Sequence, residues 1–470
     1  MSACARWTRA LASFLPVMWG LLRRAPTLGA AVCFSSRAAV AGRGAVKCAS
    51  PARAALCAAL AAMPCAALAT AGFFQNGYGL KAKGMGGAAA AYPQDALVAA
   101  TNPAGMVWVG NRLDIGVEQF DADRGSTISG NTMGLSGSRD ANGIRRFAVA
   151  ELGFNRMLGQ DWSLGVAVFG NGGMTGYTDN PLTALNGSSP AGMNFKQLNV
   201  APTLAMKLGD KHSIGLSVTL VLQQLAVTGM EHFDDPIFSA FPGSVTNRGK
   251  DHASGLGWRV GWLGRVTPDL SLAAAYQPRT RIKKFDRYKG LLADGGNFDV
   301  PQHYVLGAAF RLTSALTAVA DIQRIDFSGA RSLGNRADCF LAVSCRLGTP
   351  AGPGSGWRDA TVAKLGLAYG VTPTLVLRAG VTLLRQPIPS SQTLLNVFAP
   401  AVSERHVSIG ATWQVNASSE LTIYYMQAAE NTVTGSASIP PGFPPGGVGG
   451  GEADLRMKQS ALGIAWGWRL

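Results

Sequence analysis

The chain ends Ala461-Leu462-Gly463-Ile464-Ala465-Trp466-Gly467-Trp468-Arg469-Leu470. Leu462, Ile464, Trp466, Trp468 and Leu470 share one parity, and Ala461, Gly463, Ala465, Gly467 and Arg469 share the other. Successive side chains of a strand point to opposite faces, so this alternation specifies a β-strand with one large apolar face and one small or polar face. A strand in a membrane barrel turns such a large face to lipid and the small one to a lumen. A soluble β-sandwich rarely leaves a Trp-Trp-Leu face exposed at its last strand.

The same period recurs upstream. Fourteen segments carry it: 112–124, 144–157, 161–171, 193–208, 212–227, 254–267, 269–281, 300–312, 315–327, 357–371, 374–385, 403–415, 419–431 and 457–470. The connections alternate between short turns, such as 158–160 and 209–211, and long loops at 125–143, 172–192, 228–253, 282–299, 328–356, 386–402 and 432–456. Short turns on one side and long loops on the other is the plan of a bacterial outer-membrane barrel, and an even strand count puts both chain ends on the short-turn side. Pro440, Pro441, Pro444 and Pro445, with Gly446, Gly447, Gly449, Gly450 and Gly451, read as a surface loop before the last strand. Trp162, Trp258, Trp262, Trp413, Trp466 and Trp468 lie on the segments and read as interfacial or lipid-facing residues.

Composition agrees. Charged residues are 15% of the 470, against about 25% in soluble domains, while hydrophobic residues reach 47% and glycine numbers 59. The net charge of +15 is uneven. Residues 1–71 hold Arg6, Arg9, Arg23, Arg24, Arg37, Arg43, Lys47 and Arg53 and no acidic residue. Without these eight, 34 basic and 27 acidic residues leave +7, so the charge gives no sign of a nucleic-acid partner.

Residues 1–71 read as a leader. Lys47 and Arg53 form a basic region, 54–63 a short apolar run, and Ala67-Leu68-Ala69 or Ala69-Thr70-Ala71 a small-residue cleavage site. Residues 1–45 are superfluous to such a signal, which fits translation starting near Val46, the other reading being a long leader. Cys4, Cys33, Cys48, Cys57 and Cys65 fall within the leader. Cys339 and Cys345 remain, either as a local disulfide of an exported protein or as two free loop thiols.

Residues 72–111 do not alternate. They are Gly-rich, then Ala-rich, with short helical potential at 95–100, and a segment of this length tethered to the periplasmic end of a barrel can fold inward as a plug. The domains are therefore a leader (1–71), an N-terminal hatch (72–111) and a transmembrane β-barrel (112–470). The fold class is all-β: a 14-stranded antiparallel transmembrane β-barrel with a small hatch of short helices inside the lumen.

Asn102-Pro103-Ala104-Gly105-Met106, thirty residues after Gly72, resembles the FadL family of outer-membrane transporters for long-chain fatty acids and other hydrophobic compounds. So do Gly77-Tyr78-Gly79 and Gly84-Met85-Gly86-Gly87-Ala88 in the hatch, and Val300-Pro301, Leu306-Gly307 and Asp321 further on. Trp357-Arg358-Asp359, Arg378-Ala379-Gly380, Pro387, Pro389 and Ser408-Ile409-Gly410 extend the likeness, which covers 72–470. The family's pattern departs at the end, where Leu470 stands in place of Phe. The resemblance implies passive uptake without energy coupling: capture outside, a lumenal pocket, and sideways exit through a gap made by a kink in the third strand. Gly170, Gly172 and Gly173 close the third segment and fit either that kink or an ordinary turn. Asn102, Pro103 and Ala104 are then a turn holding the hatch to the wall near the exit. Phe73 and Phe74 either reach the pocket, as the family's start does, or anchor the hatch.

An amphipathic ligand needs an apolar concavity and a few polar groups for its head. Phe233, Phe238 and Phe241 in one long loop, and Phe285, Leu291 and Leu292 in the next, are candidates for an outer capture groove, the alternative being loop packing. Arg279 and Arg281, beside Lys283, Lys284, Arg287 and Lys289, suit a carboxylate head or, equally, lipopolysaccharide phosphates. Expected partners are hydrophobic small molecules, fatty acids or hydrocarbons, with outer-membrane lipid and lipopolysaccharide around a monomer.

No sequence motif of an enzyme, cofactor site or metal site stands out. A phospholipase-like pairing of His303 with Ser408 on lipid-facing strands, and a metal at His232, Asp234 and Asp235, are the weaker alternatives. Two other barrel functions differ from fatty-acid uptake: a channel for neutral hydrocarbons or monoaromatics, and a structural or adhesive barrel. An open aqueous porin is disfavoured by the hatch.

Overall fold

A computed structural model of the protein describes residues 71–441 and 449–470. The leader up to residue 70 and the proline-glycine stretch at 442–448 lie outside the described residues. The strands are β1 (Arg112–Ser129), β2 (Gly137–Asp140), β3 (Arg146–Leu158), β4 (Trp162–Met174), β5 (Gly192–Leu208), β6 (His212–Thr228), β7 (Asp251–Arg265) and β8 (Leu270–Gln277). They continue with β9 (His303–Arg311), β10 (Leu316–Ile325), β11 (Ala360–Thr372), β12 (Leu375–Leu384), β13 (Arg405–Asn416), β14 (Ser419–Val433) and β15 (Glu452–Arg469). Among the described residues they form one antiparallel sheet in chain order, and β1 pairs with β15 from Arg112↔Arg469 to Ser129↔Glu452. Fourteen strands thus close a ring. Closure matters because an unpaired strand edge has no water to bond to inside a bilayer. β2 was not expected; it adds to β1 at residues 125–128, beyond the reach of β3.

Alternation sets the two faces, and their polarity inverts along the strand. On β1, Ile115 and Val117 point out while Asp114 and Glu118 point in. Higher up, Asp121 and Asp123 point out while Phe120, Ala122 and Ile128 point in. On β6, Ile214, Leu216 and Val218 are exposed below, and Val221, Leu225 and Val227 are buried above. β15 repeats the pattern, with Leu462 and Ile464 exposed and Leu455 and Met457 buried. The lower wall thus has an apolar outside for lipid and a polar inside. The upper wall has a polar outside for water and an apolar inside.

The hatch is three short helical turns. Leu80–Lys83 is α-helical, while Ala96–Ala100 and Pro103–Trp108 are 3-10 turns. Asp95 caps the second by accepting from Leu97 N at 3.1 Å, and Asn102 caps the third through Ala104 N at 3.1 Å, with Pro103 at the first position, where its missing N–H costs nothing. The Gly-rich start is demanded by close approach. Gly87 has φ 78°, and a Cβ there would lie 1.5 Å from Asn76 O. On the wall, a Cβ at Gly380 would lie 2.1 Å from Met85 C.

The polar lower lumen grips the hatch. Lys83 Nζ lies 2.8 Å from Glu118 Oε1 and 3.2 Å from Glu151 Oε2. Lys81 pairs with Glu420, which also holds Arg112 at 2.5 Å. Asp321 Oδ2 accepts from Ala89 N and Ala90 N at 2.8 and 3.0 Å. Ser408 Oγ accepts from Gly86 N at 2.8 Å. No described helix is long and apolar enough to cross a membrane; the crossing is made by strands.

Candidate functional site

Above the hatch the apolar inner faces and the long loops enclose a cavity of about 1030 Å³, part of it open to solvent. Phe73, Phe195 and Phe298 form one wall, with ring centroids 5.5 Å apart for Phe73 and Phe195 and 4.6 Å for Phe195 and Phe298. Trp357 also lines the cavity, fixed by its indole N–H, which donates to Asn396 Oδ1 at 2.7 Å. Gly72 lets the hatch pass against Trp357 and Phe327. Its φ is 65°, and a Cβ would lie 2.6 Å from the Trp357 ring and 2.7 Å from Phe327.

Two loops roof the cavity. Leu347, a lining residue, donates its N–H to Phe238 O at 2.8 Å and accepts from Ala240 N at 3.0 Å. Beside it Phe340 packs between Phe233 and Phe238, at 5.5 and 5.8 Å between centroids. Cys339 and Cys345 bracket that turn and are joined, with sulfurs 2.04 Å apart. Under denaturing, non-reducing conditions a chain lacking residues 1–71, and with them the other five cysteines, is expected to take up no maleimide, and two after reduction. Labelling without reductant would show the roof to be held by packing alone.

Arg124, on the inner face of β1, is the one charged side chain among the described lining residues. It is 3% exposed. Its Nη2 donates to Ile144 O at 2.7 Å, its Nε has no partner, and no described carboxylate forms an ion pair with it. A guanidinium carries five N–H donors and keeps its charge, so this one has an N–H left to offer an acceptor.

The wall is broken beside this chamber. β3 and β4 pair only from Leu158↔Trp162 to Leu152↔Val168. Beyond that, β3 stays with β1 as far as Arg146 and β4 stays with β5 as far as Met174. The chain closes again above, where Gly143 N donates to Gly176 O at 2.7 Å. A break of some six residues is roughly 20 Å long at about 3.3 Å per residue. The start of the hatch fills it. Phe73 O accepts from Gly172 N at 2.9 Å, Gln75 Nε2 bonds Gly170 O, and the Tyr78 hydroxyl donates to Asn171 Oδ1 at 2.8 Å. Gly173 and Met174, at the top of this edge, line the cavity.

The structure thus gathers some of the expected residues and separates others. Phe73, Leu291 and Leu292 line the cavity. Phe74 lies behind Phe73, 4.6 Å between centroids, against His303 at 5.3 Å. Phe233, Phe238 and Phe285 are buried in loop packing outside the lining, because their rings face each other or the loop interior. Phe241 is exposed under Lys289 Nζ, 5.3 Å from its ring centroid. Arg279 and Arg281 are exposed and do not reach the cavity; Arg279 bonds Gly329 O and Asp299. Gly170, Gly172 and Gly173 lie within β4 rather than in a turn, since β5 keeps pairing with them. Asn102, Pro103 and Ala104 lie against the wall at β6 and β7, away from the break: Asn102 Nδ2 donates to Trp262 O at 3.1 Å and Ser213 Oγ donates to Ala104 O at 2.9 Å. His303 and Ser408 both face the lumen, on β9 and β13, so neither sits on a lipid-facing surface. No metal-ligating group of three stands among the described residues, His232 included. The sequence reading missed Arg124, Phe195, Phe298 and Trp357 as cavity residues; the signal for Arg124 was the parity switch on β1, where Asp121 and Asp123 point out.

The family model for outer membrane protein transport proteins (OMPP1/FadL/TodX) matches residues 58–465, and the chain belongs to that family. It is therefore an outer-membrane β-barrel of a family that transports hydrophobic compounds. No curated protein matches it significantly in sequence. Among solved structures, a Pseudomonas aeruginosa FadL homologue superposes with TM-score 0.63 at 16% identity, over 85% of this chain and 100% of that one. The P. putida toluene transporter TodX gives 0.61 at 16% identity, over 84% and 99%, and the Ralstonia pickettii toluene transporter TbuX 0.58 at 17%, over 84% and 99%. At these identities the likeness is one of fold.

Proposed function

We propose that the protein carries long-chain fatty acids passively into the cell envelope, from capture at the outer loops, through the lumenal cavity, to lateral exit at the break between β3 and β4. Arg124 carries this reading. It gives an otherwise apolar chamber a single cation with an unbonded N–H, which suits one carboxylate at the end of an acyl chain. Each methylene buried among the Phe, Leu and Met side chains contributes about 0.8 kcal/mol. The chain would be exported by the signal at 47–71 and act as a monomer among lipid and lipopolysaccharide.

Binding of oleate and of neutral oleyl alcohol to the purified barrel tests the reading. Arg124→Leu is expected to weaken oleate by a factor of about 10–150, the worth of roughly 1.5–3 kcal/mol for a hydrogen bond to a charged group, and to spare the alcohol. Equal losses for both ligands, or gene-dependent uptake of toluene but not oleate, would move the substrate to neutral hydrocarbons. That second reading draws on the apolar remainder of the lining.

A further inference from the structure

A second buried arginine lies on the other side of Phe74. Arg259 points inward from β7 and is 6% exposed. Its Nη2 donates to Gln277 Oε1 at 2.7 Å and sits 3.0 Å from His303 Nε2. His303 Nδ1 lies 3.3 Å from Pro301 O. A proton on Nδ1 serves that carbonyl and leaves Nε2 as a neutral acceptor for the guanidinium. Both partners of Arg259 are then uncharged, and no described carboxylate forms an ion pair with it.

That arrangement is shared by Arg124 and by Lys364, whose Nζ donates to Gln323 Oε1 at 3.0 Å, and differs from that of three other lumenal cations. Lys81, Lys83 and Arg112 each pair with carboxylates. Arg378 bonds Gln94 of the hatch and Thr412 of the wall, so it has a bracing role. Arg259 bonds no hatch atom. A buried charge left without a counter-charge costs folding free energy, so its place calls for another account.

The surroundings supply one. His303, the neighbour of Arg259, packs on Phe74, which stacks on Phe73 at the cavity wall. Tyr78, four residues past Phe74 in the same segment, bonds Asn171 on the broken edge of β4 through its hydroxyl. The guanidinium therefore stands behind the segment 73–78 that separates the cavity from the break. We propose that Arg259 is a second carboxylate station, which takes the ligand's head from Arg124 when Phe73 and Phe74 move aside and holds it while the acyl chain enters the break. This rests on the fatty-acid reading. Without a second cation the carboxylate would cross an aromatic-lined stretch stripped of its water. The neutral partners of Arg259 leave its charge available without competing for it.

The test compares wild type, Arg259→Gln, Arg259→Lys and Arg124→Leu by oleate binding to the purified barrel and by cellular uptake of oleate and oleyl alcohol. Arg259→Gln is expected to leave equilibrium binding within about twofold, to slow oleate uptake about tenfold or more, and to leave alcohol uptake unchanged. Arg259→Lys, which keeps the charge, recovers much of the oleate rate. Unchanged oleate uptake in Arg259→Gln overturns the station. So does a parallel fall for oleate and alcohol, the mark of a lost wall support or a misassembled barrel. If instead Arg124→Leu binds oleate as wild type does, the fatty-acid reading fails, whatever Arg259 does.

Discussion

Cells carrying Gly173→Trp are expected to take up oleate no faster than cells lacking the gene, although the barrel assembles. Gly173 belongs to the edge of β4 that β3 leaves unpaired, and it lines the cavity. A Cβ built there meets nothing within 4 Å, so an added side chain has open space and strains nothing. An indole in that space fills the cavity at the point where it approaches the break. The neighbouring Gly172 cannot serve, because its φ of 143° disfavours any side chain. Gly173→Ala is the control and should change stability by no more than about 0.5 kcal/mol, with uptake near wild type. The measurement is labelled-oleate uptake alongside heat-modifiable migration on gels. Normal uptake through a correctly migrating Gly173→Trp barrel would place the exit elsewhere.

Lys83→Met should loosen the hatch. The substitution removes the cation that lies between Glu118 and Glu151, both nearly inaccessible to water, and leaves two carboxylates facing each other with Tyr424 beside them. Removing one partner of a buried pair costs about 3–5 kcal/mol, far more than a surface pair is worth. The expected result is a lower unfolding temperature and faster swelling of liposomes in small sugars, as the hatch spends more time displaced. Adding Glu118→Gln and Glu151→Gln to Lys83→Met should recover part of the loss, since the repulsion goes with the charges. Unaltered stability and no leak in the single variant would mean that backbone contacts such as those to Asp321 and Ser408 hold the hatch alone.

The ring of strands was legible because a period of two survives in every strand that meets lipid, with Leu462, Ile464 and Trp468 as the plainest case. The caps of the hatch were legible too, since Asp95 and Asn102 announce their turns locally. The break was not. Gly170, Gly172 and Gly173 mark β4 as deformable, but whether β3 stays alongside depends on a partner strand, which no local pattern records. The cavity was hidden for a like reason: Arg124, Phe195, Phe298 and Trp357 come from four separate parts of the chain and meet only after closure. The cluster at 279–289 drew attention to cations that do not line the cavity. Surface loops gather Lys and Arg because water welcomes them, whereas Arg124 has no basic neighbour within ten residues on β1. Its meaning rests on the outward turn of Asp121 and Asp123, which puts the arginine inside.

The closing ladder and the broken one divide the labour of holding the cylinder together. β1 and β15 are zipped along their whole length, from the Arg112–Arg469 pair to the Ser129–Glu452 pair, whereas β3 and β4 part after Val168. Strain applied to the cylinder should therefore not open it at the chain ends. It should run upward from Val168, in mid-chain, where few backbone bonds must be surrendered and the torn edges already have a substitute in the hatch. The weakest seam and the proposed exit are then the same place, and a variant re-cut to begin at the turn between β3 and β4 would put its loose ends at the foot of that seam, below the break.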